Sequence, residues 1–288
     1  MDRSLIIDVG MHVGRDTEFY LKKGFRVVAV EADPRHVEAV QARLRSYIDD
    51  GRLTILNVAI NTFDGETDFF VNPEHDDWGT VSPEFVRRNV EVYGSRHETV
   101  KVRCTRFENV LREFGVPYYL KVDIEGLDDL CLEALDGFDT APRFVSIEPD
   151  QKSFEGAFNE LSMLWRLGYR AFKIVNQGRN RELRCPDPPR EGVYVEQRFD
   201  GASSGLFGEE SPGPWQGIED TVVAWRSILA QQRRFGDQGG WEGEWRGTLA
   251  HKLYERYRRV RKQGPLGWYD FHARHLDPAG RRANVTSA

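Results

Sequence analysis

The chain has 288 residues, 40% of them hydrophobic and 30% charged, which suits one large or two modest globular domains and excludes a collagen-like or wholly disordered chain. A formal net charge of −6 argues against a nucleic-acid partner held by phosphate neutralisation. No run approaches the roughly 18 apolar residues needed to span a bilayer, and Met1-Asp2-Arg3-Ser4 leads directly into a strand pattern, so a cytoplasmic chain with no membrane partner is expected.

Residues 5–9 read as a first strand, and 17–23 as a helix closed by Gly24. The apolar run 26–31 is a second strand ending on Glu31, after which Asp33 caps and Pro34 opens a helix expected to continue to Tyr47. Residues 53–59 form a third strand, and the turn signal Asp64-Gly65 leads into a short strand over 67–71. A helix over 84–92 and an alternating strand over 99–104 follow, and Thr105-Arg106-Phe107-Glu108 has capping-box spacing before a helix to Phe114. The strands 118–123 and 143–148 each finish on a carboxylate, helices 127–135 and 153–167 flank the second, and strands 170–175 and 193–199 complete the pattern. This alternation predicts an α/β fold, a Rossmann-like parallel sheet with helices on both faces, over residues 1–200.

Beyond residue 200, Gly-, Ser- and Pro-rich segments alternate with helical stretches, and five of the seven tryptophans fall here. Residues 201–288 are read as a helical and loop extension. Its aromatic surface is expected to pack on the sheet domain, line a substrate cleft, or face a second copy in a homo-oligomer. Asp270-Phe271-His272-Ala273-Arg274-His275 places two histidines three apart, a shared face if helical, but two ligands without a third argue against a metal site there. Arg256 to Lys262 reads as a solvated basic helix. Cys104, Cys131 and Cys185 lie far apart with no Cys-x-x-Cys spacing and are read as reduced thiols.

Ligands of open parallel sheets bind outside the carboxyl ends of the strands, near the point where strand order reverses. That rule singles out Asp8, Glu31, Asp123 and Glu148. The loop Asp8-Val9-Gly10-Met11-His12-Val13-Gly14 lacks the G-x-G-x-x-G spacing that cradles a pyrophosphate. Glu31, at the end of the second strand, can accept hydrogen bonds from both hydroxyls of a ribose. A sulfonium nucleoside has no phosphate and does not need that cradle, so the combination fits S-adenosylmethionine.

Asp8 to Gly14, Val28-Ala29-Val30-Glu31-Ala32-Asp33-Pro34, Asn57-Val58-Ala59-Ile60 and Lys121-Val122-Asp123-Ile124-Glu125-Gly126, in that order, resemble the FkbM-type methyltransferase family over roughly residues 4–150. The resemblance implies a seven-stranded sheet and O-methylation of a hydroxyl on a sugar or natural product. By position it implies that Asp8, Gly10 and Gly14 hold the methionine end of the cofactor, Glu31 the ribose, and the region of Ala59 the adenine. His12 and Ala32 within these motifs, Asp123, and Ser82 at the end of the polar loop Asp76-Asp77-Trp78-Gly79-Thr80-Val81-Ser82 complete the expected cofactor contacts. Two residues depart from the family pattern: His12 stands where Asn is common, and Asp128 where Glu is usual.

Methyl transfer from a sulfonium to an alcohol needs alignment and a base. Asp123, Glu125 and Glu148 are the candidate bases, with His12 as an imidazole alternative. Asp123 and Glu148 are alternatively oxygen ligands for Mg2+, although no dedicated metal site is read from the sequence. Two competing functions remain: a nicotinamide-dependent oxidoreductase, favoured by Glu31 but lacking the pyrophosphate fingerprint and a convincing Tyr-x-x-x-Lys pair, and a non-catalytic binding or scaffold protein of the same fold.

Overall fold

The computed structural model describes residues 1–151, 153–200, 203–236, 243–260 and 267–277. In chain order the first half gives β1 (Asp2–Val9), α1 (Arg15–Lys22), β2 (Arg26–Glu31), α2 (Pro34–Arg43), α3 (Arg45–Asp49), β3 (Leu53–Asn57), β4 (Ala59–Ile60), β5 (Gly65–Val71), α4 (Pro83–Tyr93) and β6 (Glu98–Thr105). The second half gives α5 (Phe107–Phe114), β7 (Pro117–Val122), α6 (Asp128–Ala134), β8 (Phe144–Ile147), α7 (Phe154–Arg166), β9 (Tyr169–Asn176), α8 (Ile218–Phe235), α9 (Leu249–Val260) and β10 (Tyr269–His275). Among these residues no helix is long and apolar enough to cross a membrane.

Seven strands form one sheet in the order β3-β2-β1-β7-β8-β10-β9, and β4-β6-β5 form a small second sheet. β1 pairs in parallel with both β2 and β7, so the order reverses direction on either side of β1. Leu5, Ile6, Ile7, Asp8 and Val9 are all fully buried, as a strand covered on both faces requires. On one face Leu5, Ile7, Val9, Val28 and Val30 pack with residues of α5, α6, α7 and Trp225 of α8. On the other, Ile6, Val27 and Ala29 pack with Phe19, Tyr20, Val37, Val40 and Phe207. The expected α/β class with helices on both faces is therefore present.

Several expectations are corrected. Residues 193–199 form no strand; Val193 N–H instead donates to the Lys23 carbonyl (3.0 Å), and Phe199 packs into the core beside Phe19. The remaining strand of the large sheet is β10, which lies antiparallel between β8 and β9, so the sheet takes one strand from beyond residue 200. On a strand, residues three apart point to opposite faces, which separates His272, buried, from the partly exposed His275. The helix expected to run to Tyr47 divides at Leu44, whose φ of −104° and ψ of 24° set its buried side chain against Val40 and the core.

The capping box at Thr105 does not form. Asp64, from the preceding turn, accepts from Thr105 Oγ1 (2.7 Å) and Arg106 N–H (3.1 Å) instead. The tail tryptophans divide their work: Trp225 lies edge-on to Phe271 (5.0 Å) in the core, and Trp215 stacks on Phe144 (5.9 Å). Lys23, at the end of α1, and Glu210 are both fully buried and joined at 2.8 Å. Cys104 and Cys131 are buried and Cys185 partly so, all three as free thiols. Arg256 lies on α9; Arg261 and Lys262, like Gly201 and Ala202, fall outside the described residues.

Candidate active site

β1 ends where Gly10 and Met11 both donate N–H bonds to the Val30 carbonyl (3.0 and 3.0 Å). Gly10 has φ +84°, and a Cβ there would lie 1.8 Å from the Asp123 carbonyl oxygen, so only glycine lets the β1 and β7 loops meet. Lys121, on β7, spans that junction. Its Nζ donates to the Gly10 carbonyl (2.8 Å) and lies 3.4 Å from Asp8 Oδ1 and 3.5 Å from Asp123 Oδ2. Burial opposes the lysine charge, but Asp8 and Asp123 outweigh it and hold the ammonium above its ordinary range.

Beyond this junction the carboxyl ends of β1, β2, β7 and β8 open on a cavity of about 620 Å³, within the size range of small-molecule sites. Gly10, His12, Glu31, Ala32, Ala59, Ser82, Asp123, Glu125 and Glu148 all line it, as do Trp78 and Lys121. Asp8 and Gly14, expected to hold the cofactor, are not among its lining residues. Asp8 is fully buried and accepts from Thr17 Oγ1 (2.5 Å), fixing α1 to β1. Gly14 begins α1 at φ +70°, where a Cβ would press on both Val40 methyls at 3.0 Å.

Glu31 is tied on both oxygens: Oε1 accepts from Asp33 N–H (2.7 Å) and Oε2 from His12 N–H (2.7 Å). Burial raises its proton affinity, and the two N–H bonds counter that. Each oxygen keeps a second lone pair for a ribose hydroxyl. Ser82 caps α4 by accepting from Phe85 N–H (3.2 Å), and Trp78 stacks on His75 with centroids 4.1 Å apart.

Asp123, Glu125 and Glu148 each present an oxygen within 4.8 Å of the others. Glu125 has φ +55°, a left-handed conformation costing a non-glycine residue about 1–2 kcal/mol. It is held there by Thr80 Oγ1, which donates to its carbonyl (2.7 Å). Asp128, read from sequence only as a departure from the family pattern, fixes the same loop by accepting from Ile124 and Gly126 N–H (3.2 and 3.3 Å). Burial, then the charge of Asp123, pushes Asp128 up to about 7. Burial raises Glu125 and Glu148 well above the ordinary carboxylate range, followed by Glu148 acting on Glu125 and Asp123 acting on Glu148. A cluster of this kind titrates as a unit and keeps at least one carboxyl of high proton affinity. His12, the imidazole alternative, instead turns its ring edge-on to His36 (4.5 Å) at the Glu31 side of the cavity.

Sequence reasoning gave no role to Lys121 or Asp16. A lysine one residue before the end of an apolar strand was the available signal for Lys121. Asp16 accepts from Ser203 Oγ (2.7 Å) and Ser204 N–H (2.9 Å), bringing those serines to the cavity wall from the C-terminal third, which also supplies Trp268.

Glu160, on α7, lines the same cavity and accepts from Asp150 N–H at 3.2 Å. Burial, then Asp129, pushes its carboxyl up to about 9. A raised carboxyl pKa means the folded state binds the proton more tightly than the unfolded chain, so stability falls as pH rises from about 4.5 to about 9. Glu160→Gln, which cannot titrate, should remove its share of that decline. Urea denaturation of both proteins should show a stability gap moving by at most about 1.4 kcal/mol per pH unit inside this window. Parallel pH profiles for the two would show that Glu160 does not keep its proton.

The Methyltransferase FkbM domain family matches residues 8–171. A crystal structure of an FkbM methyltransferase from Methylobacillus flagellatus is similar with a TM-score of 0.38 and 19% identity, over 60% of this chain and 40% of that one. An S-adenosylmethionine-dependent methyltransferase from Archaeoglobus fulgidus is similar with a TM-score of 0.37 and 10% identity, over 94% of this chain and 86% of that one. A precorrin-6y C5,15-methyltransferase from Geobacter metallireducens has a TM-score of 0.34 and 12% identity, over 61% and 69%. No curated protein matches the sequence.

Proposed function

The chain belongs to the FkbM methyltransferase family, and from that premise we propose that it transfers the methyl group of S-adenosylmethionine to a hydroxyl of a small-molecule acceptor in the cytoplasm, a sugar or a natural product. The observation that carries this reading is a single cavity with Glu31 on one side of the strand-order reversal and Asp123, Glu125 and Glu148 on the other. In this reading Glu31, held by two N–H groups, binds the ribose, with Ala32, Ala59 and Ser82 around the adenosine. The carboxylate trio faces the acceptor in this reading.

The cofactor supplies the electrophilic carbon and its own leaving group, so the protein contributes orientation and a base. Gly10 and Lys121 keep the floor of the site rigid. Glu148, with its raised proton affinity, takes the hydroxyl proton as the oxygen attacks. The trio's oxygens also suit Mg2+; activity that stays dependent on added Mg2+ after dialysis against a chelator would assign them to coordination instead.

The test is binding. S-adenosylmethionine should bind the purified chain in a calorimeter, and Glu31→Ala should raise its Kd by about 100-fold, the loss of two hydrogen bonds to a charged acceptor. Absence of binding by both S-adenosylmethionine and S-adenosylhomocysteine overturns the proposal. A metabolite panel screened for a mass gain of about 14 Da, the difference a methyl group makes, identifies the acceptor.

A further inference from the structure

At the Glu31 side of the cavity, three side chains from distant parts of the chain converge. His12 Nε2 lies 3.5 Å from Asp76 Oδ2, His36 Nε2 lies 3.8 Å from the same oxygen, and one ligand atom from each of the three residues falls within 4.8 Å of the other two. His12 follows β1, His36 sits in the first turn of α2, and Asp76 belongs to the loop between β5 and α4. His12 Nε2 is buried and has no hydrogen-bond partner among the described residues. We propose that His12, His36 and Asp76 form a binding site for a divalent transition-metal ion of the Zn2+ class.

The distances fit. Tetrahedral Zn2+ with bonds of about 2.0–2.1 Å to nitrogen and 2.0–2.2 Å to oxygen separates neighbouring ligand atoms by about 3.3–3.5 Å. The two measured edges exceed that by a few tenths of an ångström at most. Asp76 is two-thirds exposed, at 66%, and can move in to close the gap, while His36 is held at 12% exposure. Two imidazole nitrogens and one carboxylate select Zn2+, Co2+ or Ni2+ over Mg2+ and Ca2+, which prefer all-oxygen shells.

The supporting shell is also in place. The His12 backbone has φ +50°, a conformation that persists only where its surroundings impose it, and its N–H bond to Glu31 fixes the residue from behind. Glu31 accepts from both His12 N–H and Asp33 N–H (2.7 Å each), which ties the His12 loop to the start of the helix that carries His36. Arg35, the nearby cation, is taken up by Asp33 (2.8 Å from N–H to Oδ1, 3.0 Å from Nε). Three protein ligands leave a fourth position for water.

A metal here joins the Asp76 loop, which brings Trp78 to the cavity wall, to the loop and helix on either side of Glu31. It therefore fastens that loop to the Glu31 side of the cavity. The site lies on the Glu31 side of the same cavity, and its metal binding is read without the methyl-transfer reaction.

The experiment titrates the chelator-stripped full-length chain with Zn2+ in a calorimeter and with Co2+ in an absorption cell. One equivalent of each should bind, with the visible band of four-coordinate Co2+. His36→Gln and Asp76→Asn should each weaken binding by about tenfold or more. Asp76 is exposed, so that variant carries the test even if His36→Gln fails to fold. Glu148→Gln should bind Zn2+ as the parent does. No uptake of either metal, undiminished binding in Asp76→Asn, or binding lost in Glu148→Gln alone overturns the assignment.

Discussion

Replacing Glu148 by glutamine is expected to lower kcat by about 10²–10⁴-fold and to leave the Kd for S-adenosylmethionine unchanged. Glutamine has the shape of glutamate and keeps an oxygen for the Gln151 side chain, which donates to Glu148 Oε1 (2.5 Å). It cannot take a proton. The change therefore removes base strength and little else, which is why kcat and cofactor affinity should separate. The pH profile gives a second readout. Burial, then Asp123, holds Glu148 well above 4.5, and a base works only when deprotonated. The acid limb of the parent's kcat/KM profile should therefore fall well above pH 4.5. A Glu148→Gln enzyme with the parent's kcat would remove Glu148 from the chemistry and pass the role to Asp123, whose Asn variant should then show the loss.

Glu210→Ala is expected to destabilise the fold by about 3–5 kcal/mol, because it strands the buried ammonium of Lys23. Both side chains are fully buried, and Lys23 Nζ donates to both Glu210 oxygens (3.0 and 2.8 Å). Glu210 Oε1 also accepts from Arg190 and Glu191 N–H (2.9 and 3.1 Å), so alanine orphans three donors at once. The pair need not be worth that much itself, since desolvation of both charges offsets most of their attraction. A double variant tests this point: Lys23→Met with Glu210→Gln removes the stranded charge and keeps an oxygen for the two N–H groups. It should recover most of the loss in urea denaturation. If Glu210→Ala alone unfolds at the parent's midpoint, the ion pair is not buried in solution.

The strand ends were legible because an apolar run closed by a carboxylate is a local pattern, and Asp8, Glu31, Asp123 and Glu148 each carry it. What separates Asp8 from the others is not local. Only the packing of Thr17 and Lys121 shows that its carboxylate faces inward to hold two elements together. β10 was hidden for a related reason. Its sequence, Tyr-Asp-Phe-His-Ala-Arg-His, has polar residues at every second place, which reads as a surface segment. In the fold those positions are still covered, and Arg274 is satisfied by Glu209 at 2.9 Å. His12, His36 and Asp76 come from a loop, a helix and a second loop, so no spacing in the chain announces them.

The place of β10 in the sheet bears on how the protein is made. A ribosome delivers β8 and β9 long before Tyr269–His275, the strand that must slide between them. Until it emerges, β9 has no neighbour in the large sheet, and β8 keeps an open edge beside the trio of acids. Such edges are templates for pairing with other chains. The nascent protein is therefore at risk of aggregation in the interval between the emergence of β9 and that of β10, and a chaperone that shields strand edges would act on it then.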